Sequence, residues 1–465
     1  MVVFVTPTAW STSGHISYAP EDGVENREIS GPRLWLEHFL LAGFLFITFV
    51  GTQPFLGASI ESRSEGSPLD RLIVLALFAV ALVVLFGRWR DALRCVGANL
   101  PLFLLVGFCV ASILWSNFPG ITLRRGMLLF FLTTIALAVA VSTDDLRRLH
   151  TVLFATLSVL VLICLLLALG VPSVGMSEIG AKGFYTQKNV AGIVAMITVV
   201  LAVTWMMGSR EGWQKALALA ALIPVLVFLV LTKSKTSINL TALAVLVICA
   251  FALAERYGPA MIIAGGLFGA LLLIGSALWL AILDFDIDAA MRTIIGDTSF
   301  SGRDELWDFV RRDIARSYWL GHGYGAYWDV GLANDPLVRA EVGSWLEAVP
   351  IGVVNQAHDG YLDLWVQMGL PAVVIATLVT LKATFASAHY ALASHEPVED
   401  RALVGAMAAV LVIYLLHNFT EATLFVRGSI FHSSATLAIF LASHAWQVDR
   451  DLRLSDDDPE PDEDA

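Results

Sequence analysis

The stretch VNQAHDGYLDLWVQMGLPA, residues 354–372, places a histidine and an aspartate directly before a run apolar enough to enter a membrane. A histidine side chain titrates near neutral pH, so it can take a proton from an attacking hydroxyl. His358 is therefore a candidate general base, or a hydrogen-bond partner that steers a hydroxyl. Asp359 or Asp363 can orient such an imidazole, and Tyr361 lies between them. The competing reading is an ordinary interfacial histidine.

Bases recur at the starts of apolar runs. NFPGITLRRG carries Arg124 and Arg125, GFYTQKN carries Lys188 beside Asn189, and TKSKTS carries Lys233 and Lys235. A planar guanidinium offers paired donors that match phosphate. For any one base, a side chain snorkelling from a helix end is the simpler account. For the set, anion binding is the better one.

These residues must be positioned by helices that cross a membrane. The chain of 465 residues is 57% hydrophobic and 15% charged, with mean hydropathy +0.73. Its apolar residues come in long uninterrupted blocks, and about 20 residues span the hydrocarbon. The blocks do not alternate apolar and polar, which excludes a transmembrane β-barrel. The expected architecture is an all-α, polytopic transmembrane bundle of about 12 spans. They fall at 35–57, 70–87, 98–115, 121–142, 149–170, 189–208, 214–232, 237–255, 259–283, 360–382, 402–420 and 427–447.

The organisation that follows is a polar leader (1–34), spans one to nine (35–283), a large extracytoplasmic loop (284–359), spans ten to twelve (360–447) and an acidic tail (448–465). The leader lacks the basic start and apolar core of a signal peptide. Net charge is −12, and SDDDPEPDEDA supplies seven of the acids with no base, so overall charge points to no partner class such as nucleic acid. An even number of spans puts both termini on one side, read as cytoplasmic. The short loops on that side hold ten Lys and Arg against nine opposite, so the charge rule barely discriminates. The four cysteines match no metal spacing and read as small packing residues.

The long loop contains a helix in SFSGRDELWDFVRRDIARSYW. Ser301 can cap it, and Asp304 and Glu305 fall in its first turn. Leu306, Trp307, Val310 and Ile314 share a stripe, so it lies on the membrane surface or packs on other spans. GHGYGAYW follows it and is a poor match to a phosphate loop, which needs a preceding strand. It reads as a flexible turn, with Tyr324, Tyr327 and Trp328 suited to an interfacial belt or a sugar-stacking surface.

Several segments, in order, resemble the O-antigen ligase and polysaccharide polymerase superfamily, most nearly its ExoQ-like exopolysaccharide polymerases. They are LWSNFPGITLRRG, GFYTQKNVAG, SGRDELWDFV with LGHGYGAYW, HDGYLDLWVQMGLPA, and HNFTEATL with Glu421. His358 and Gly369 have the spacing of the ligase pattern. Two departures stand out. Lys235 follows Ser234 where the family carries Ser-Arg, and Asp359 follows the histidine where ligases prefer Asn, Ser or Gln.

The resemblance implies a GT-C-like membrane glycosyltransferase in the bacterial inner membrane, with its site on the periplasmic side. Its donor would be a glycan on undecaprenyl diphosphate. An acceptor glycan hydroxyl would displace the lipid diphosphate with inversion, and no metal or other cofactor is expected. His358 would be the base. Arg124, Arg125, Lys235 and Arg303 would face the diphosphate, supported by Lys188, Asn189, Asp359, Tyr361, Asp363 and Glu421. A flippase and a chain-length regulator are the protein partners it suggests. The main alternative is a ligase that moves the glycan to a lipopolysaccharide core or a protein. A transporter is the distant one, since the spans show few ionisable residues and no clear repeat.

Overall fold

The computed structural model describes residues 31–52, 68–257, 303–394 and 397–456. Among these, the chain is a helical bundle with one two-stranded ribbon. Helices α1 (Gly31–Phe49), α2 (Pro68–Gly87), α3 (Trp89–Ala98) and α4 (Leu100–Ala111) are followed by α5 (Pro119–Val141) and α6 (Leu146–Gly170). The ribbon, β1 (Met176–Ser177) and β2 (Gly180–Ala181), precedes α7 (Lys188–Met207), α8 (Gly212–Leu231) and α9 (Lys235–Tyr257). The loop helix is α10 (Arg303–Arg316), and α11 (Gly360–Ala393), α12 (Val398–His417) and α13 (Ile430–Asp456) complete the bundle.

Seven described helices, α2, α5, α6, α7, α8, α9 and α11, are long and apolar enough to cross a membrane. The pair α3 and α4, bent by 83°, makes an eighth if counted as one span. The bend falls at Asn99, whose side-chain amide donates to the Cys95 carbonyl at 2.9 Å, and Pro101 follows in the first turn of α4. The expected ninth span, 259–283, and the first part of the long loop lie outside the described residues, as does Ser301.

Burial follows from position in the bundle. Helix α7 is packed on α6, α8, α9 and α12, and most of its residues are buried; α2 and α8 keep wide apolar faces for lipid. The described part of the long loop has a hydrophobic core of its own. Of the expected stripe of α10, Leu306, Val310 and Ile314 are buried there with Phe309, Tyr327, Trp328, Leu337 and Leu346, while Trp307 is half-buried. Of the two readings of this helix, packing on a span is the one observed, since α10 lies against α11.

Helix α11 is broken, and the loop is docked on the break. Gly369 has φ 76° and ψ 173°, and Pro371 has no N–H to offer the Gln367 carbonyl. Backbone from the loop replaces the lost helical bonds. His322 N–H donates to Val366 O at 3.0 Å, Gly323 N–H to Gln367 O at 2.9 Å, and Leu370 N–H to Tyr318 O at 3.0 Å. The contact demands glycine on both sides. A Cβ at Gly321 would lie 2.2 Å from the Gln367 carbonyl carbon, and one at Gly369 would lie 2.0 Å from the Trp319 oxygen.

GHGYGAYW is therefore a packed connector rather than a belt or a sugar platform. Tyr324, Tyr327 and Trp328 are buried, because each polar tip has an internal acceptor. Tyr324 donates to Phe425 O at 2.6 Å, Tyr327 to Asp313 at 2.8 Å, and the Trp328 indole to Asp363 at 2.7 Å.

Candidate functional site

His358 sits where the loop re-enters the bundle. Its backbone is left-handed, with φ 52°, and the residues on both sides are pinned. The Ala357 N–H donates to Asp363 at 2.9 Å, and its carbonyl accepts from the Trp307 indole at 3.0 Å. Asp359 caps α11 by accepting from Leu362 N–H at 2.9 Å, and burial pushes its carboxyl above the ordinary value. Gly360 N–H donates to Asn418 O at 2.7 Å, and a Cβ there would meet the Asn418 side chain at 2.0 Å.

Asn418 also shapes the segment that faces the histidine. Its Oδ1 accepts from Thr423 N–H at 2.8 Å and its Nδ2 donates to Tyr414 O at 2.7 Å. The resulting turn presents Glu421, which is buried. Glu421 Oε2 lies 3.2 Å from His358 Nδ1, and Glu421 Oε1 accepts from Asn189 Nδ2 at 2.8 Å. Arg303 lies 3.6 Å from Glu421 Oε1 and donates to Thr420 O at 2.9 Å.

Burial by itself raises the Glu421 carboxyl. The His358 hydrogen bond and the charges of His358, Arg303 and His417 outweigh it and hold the group below its ordinary value. A carboxylate can only accept, so the His358 proton belongs on Nδ1 and the lone pair on Nε2. Nε2 makes no hydrogen bond to any described residue, and the side chain is 35% exposed. The arrangement is a partly exposed imidazole backed by a buried carboxylate, with its second nitrogen bonded to no described residue.

The electrostatics come from helix ends as well as side chains. Helix α7 starts at Lys188 beside Asn189, α9 at Lys235 beside Thr236, α10 at Arg303 and α11 at Gly360. Their contacts converge on one place, since Asn189 and Arg303 reach Glu421 and Thr236 lies 3.4 Å from Thr420. Each helix N-terminus carries roughly half a positive charge and unpaired N–H groups, which is a setting for an anion. Lys188 Nζ donates to the Ile179 and Lys233 carbonyls at 3.3 and 3.4 Å, tying the ribbon to the start of α9. Lys235 is exposed at that start.

The residues singled out from sequence thus divide. His358, Asp359, Lys188, Asn189, Lys235, Arg303 and Glu421 come together. Asp363 stands behind them, buried, accepting from Trp328, Ala357 and Gln367 at 2.7, 2.9 and 2.7 Å. Tyr361 donates to Leu415 O at 2.9 Å and packs on Phe419 with ring centroids 4.8 Å apart. Arg125 is buried in the loop contact, donating to the carbonyls of Gly325, Trp328 (2.9 Å) and Asp329 (2.8 Å). Arg124 is half-buried beside it.

Two participants escaped the sequence reading. Gln367 bridges Asp363 to Gly325 N–H, the latter at 2.8 Å. Arg427, which no motif singled out, lies against the Arg125 side of the loop. A polar residue one helical turn from Asp363 was the available signal for Gln367.

With this geometry in hand, comparison with known proteins is informative. Residues 217–377 match the O-antigen ligase family. The matched region runs from α8 through the break in α11, and so contains Lys235, Arg303, His358, Asp359 and Asp363. Asn189 and Glu421 reach the same site from outside it. The chain is also 25% identical over 366 residues to the exopolysaccharide production protein ExoQ of Rhizobium meliloti strain 1021. That similarity covers 77% of this chain and 81% of that protein. The chain is a polytopic helical membrane protein that is similar to the O-antigen ligase family over residues 217–377 and to ExoQ over most of its length.

Proposed function

We propose that the protein polymerises lipid-diphosphate-linked oligosaccharide repeats by inverting glycosyl transfer at the outer face of the bacterial inner membrane, with both termini cytoplasmic. The observation that carries this reading is the His358 imidazole backed by Glu421, with Nε2 bonded to no described residue, amid four helix N-termini and the cations Arg303 and Lys235.

In the proposed step an acceptor sugar hydroxyl attacks the anomeric carbon of the donor. Its proton passes to His358 Nε2 as the new C–O bond forms. The anomeric C–O bond to the diphosphate breaks on the opposite face, and the electron pair leaves with the lipid diphosphate. Charge grows on that leaving group, where fixed cations and N–H dipoles are worth most. Arg303 and Lys235 take this part in the proposal, with Lys188 and Asn189 beside them. Glu421 holds the imidazole and offsets the imidazolium that forms.

A ligase reading is favoured by the family matched over residues 217–377 and differs only in acceptor. One experiment separates the readings. Purified protein in lipid receives an undecaprenyl-diphosphate-linked repeat and no other acceptor. A ladder of extended lipid-linked glycans, absent for His358→Ala, supports polymerisation. Product that forms only after a lipopolysaccharide core is added supports the ligase. No product with any acceptor removes glycosyl transfer and returns the transporter.

A further inference from the structure

Helix α3 lies far from His358 and does not continue the span that follows it. The bend of 83° sets it almost perpendicular to α4. Its last carbonyl, Ala98 O, accepts from Lys382 Nζ at 2.5 Å. Lys382 stands about 30 Å further along α11 than Gly360, at 1.5 Å per residue. The helix is therefore at the opposite end of the bundle from the histidine.

Its position is fixed at both ends and along one side. Arg88, at its N-cap, donates to Glu37 at 3.0 Å and to Asp144 at 2.5 and 2.6 Å. Cys95 Sγ donates to Phe440 O at 3.8 Å, and Asn99 Nδ2 donates to Ser443 Oγ at 2.9 Å, so this side rests on α13.

The other sides sort by chemistry. Successive helical residues turn by about 100°. Trp89, Leu93 and Val96 therefore fall within about 60° of one another. Trp89 and Leu93 are 54% and 61% exposed, and Val96 is half-buried. The stripe runs on into α4 through the exposed Leu100 and Leu104. Buried Ala92 and Cys95 lie about a quarter-turn to one side of the stripe, toward α13. Arg90 and Arg94 lie about as far to the other side, and Asp91 lies opposite the stripe. The Arg90 guanidinium is exposed, 5.6 Å from the Trp89 ring centroid, and Arg94 pairs with Asp451 at 2.6 Å. A helix in the plane of a membrane needs this order: protein at its flank, acyl chains beneath, headgroups on the outer flank and water above. Tryptophan and arginine are the residues that favour that boundary.

The length of α4 points the same way. With the turn Ser112–Leu114 it covers about 24 Å, against about 30 Å of hydrocarbon. An interfacial helix sunk about 5–10 Å below the headgroups makes up the difference.

We propose that α3 is an in-plane membrane helix at the end of the bundle opposite His358. Trp89, Leu93 and Val96 lie in the acyl region, and Arg90 holds the phosphate of an anionic phospholipid.

The test uses the full chain in vesicles, with the exposed Cys249 replaced by serine and bimane attached at Leu93→Cys or Asp91→Cys. The probe at 93 should be quenched by phosphatidylcholine carrying an acyl-chain nitroxide and shielded from aqueous iodide, and the probe at 91 should show the reverse. A probe at 93 that iodide reaches, or that neither quencher reaches because a second copy covers it, overturns the in-plane placement. Nitroxide phosphatidylglycerol, diluted in unlabelled lipid, should quench the probe at 93 more than nitroxide phosphatidylcholine does. Arg90→Gln should lower that preference about fivefold, the loss expected for one base at a membrane surface, and Arg90→Lys should keep it. Equal quenching by the two lipids, or a preference that Arg90→Gln leaves intact, overturns the headgroup site. Neither measurement depends on glycosyl transfer.

Discussion

Glu421→Gln is the sharpest perturbation of the proposed mechanism. The carboxylate accepts on both oxygens, from Asn189 Nδ2 at 2.8 Å and, on the other side, at His358 Nδ1, 3.2 Å away. A glutamine fits the same space but carries one oxygen and one NH2. If its oxygen faces Asn189, its NH2 faces His358 and forces the ring proton onto Nε2, so the lone pair turns inward. If its oxygen faces His358, its NH2 meets the Asn189 NH2, leaving two buried donors opposed. Arg303 also loses its charge partner, 3.6 Å away. Where a carboxylate fixes the tautomer of a catalytic histidine, the amide lowers kcat by about 10⁴ in the serine protease triad. Here the carboxylate is buried and the imidazole 35% exposed, so water can partly restore the productive tautomer. The expectation is a kcat loss of roughly 10²–10⁴, equivalent to about 3–5 kcal/mol of barrier, with little change in KM. The assay is the initial rate of chain extension against donor concentration, with thermal melting as a control. A Glu421→Gln enzyme that keeps kcat within threefold and the wild-type pH profile would refute the role given to this pair.

Other outcomes follow from the same contacts. Arg125→Met should destabilise the fold by about 3 kcal/mol or more, since it strips donors from three loop carbonyls, and limited proteolysis should then cut within 317–357. Gly369→Ala should cost at least about 2 kcal/mol in melting experiments, because φ is 76° and the new Cβ would lie 2.0 Å from the Trp319 oxygen. Asp363→Asn should lower activity without touching substrate, because an amide cannot accept from Trp328, Ala357 and Gln367 together; a normal rate with normal melting would contradict this. Glu421 is held below its ordinary value, so its stabilisation is complete above the unfolded pKa of about 4.3. That stabilisation is lost as pH falls through the lower folded value. Acid melting of the wild type should therefore contain a component that Glu421→Gln lacks.

Much of the framework was legible because membrane spans are written in long apolar runs. The ranges 121–142, 149–170, 189–208 and 214–232 overlie α5 to α8 within three residues at either end. The loop helix was legible for a related reason, since a 3.6-residue apolar period survives in any context. The break in α11 was harder. Gly369 and Pro371 announce an irregularity, yet nothing local says that loop backbone from 318–323 replaces the missing bonds.

Within the site, sequence alone determined which chemistry was present: an imidazole at a helix mouth, cations at helix starts, an Asn and a Glu in the right segments. Which of them act together was decided by tertiary structure. Arg124 and Arg125 look equivalent in NFPGITLRRG, but they are adjacent on a helix and so point about 100° apart. Arg125 is spent on loop carbonyls, while Arg124 stays half-buried. Asp359 and Asp363 were equal candidates to orient His358, yet Glu421 does so, because the Asn418 turn folds back against the mouth of α11. Periodicity and helix-end chemistry are local properties, and a sequence carries them. Contacts between residues 63 or 232 positions apart depend on how the helices pack, and only the folded chain holds that information.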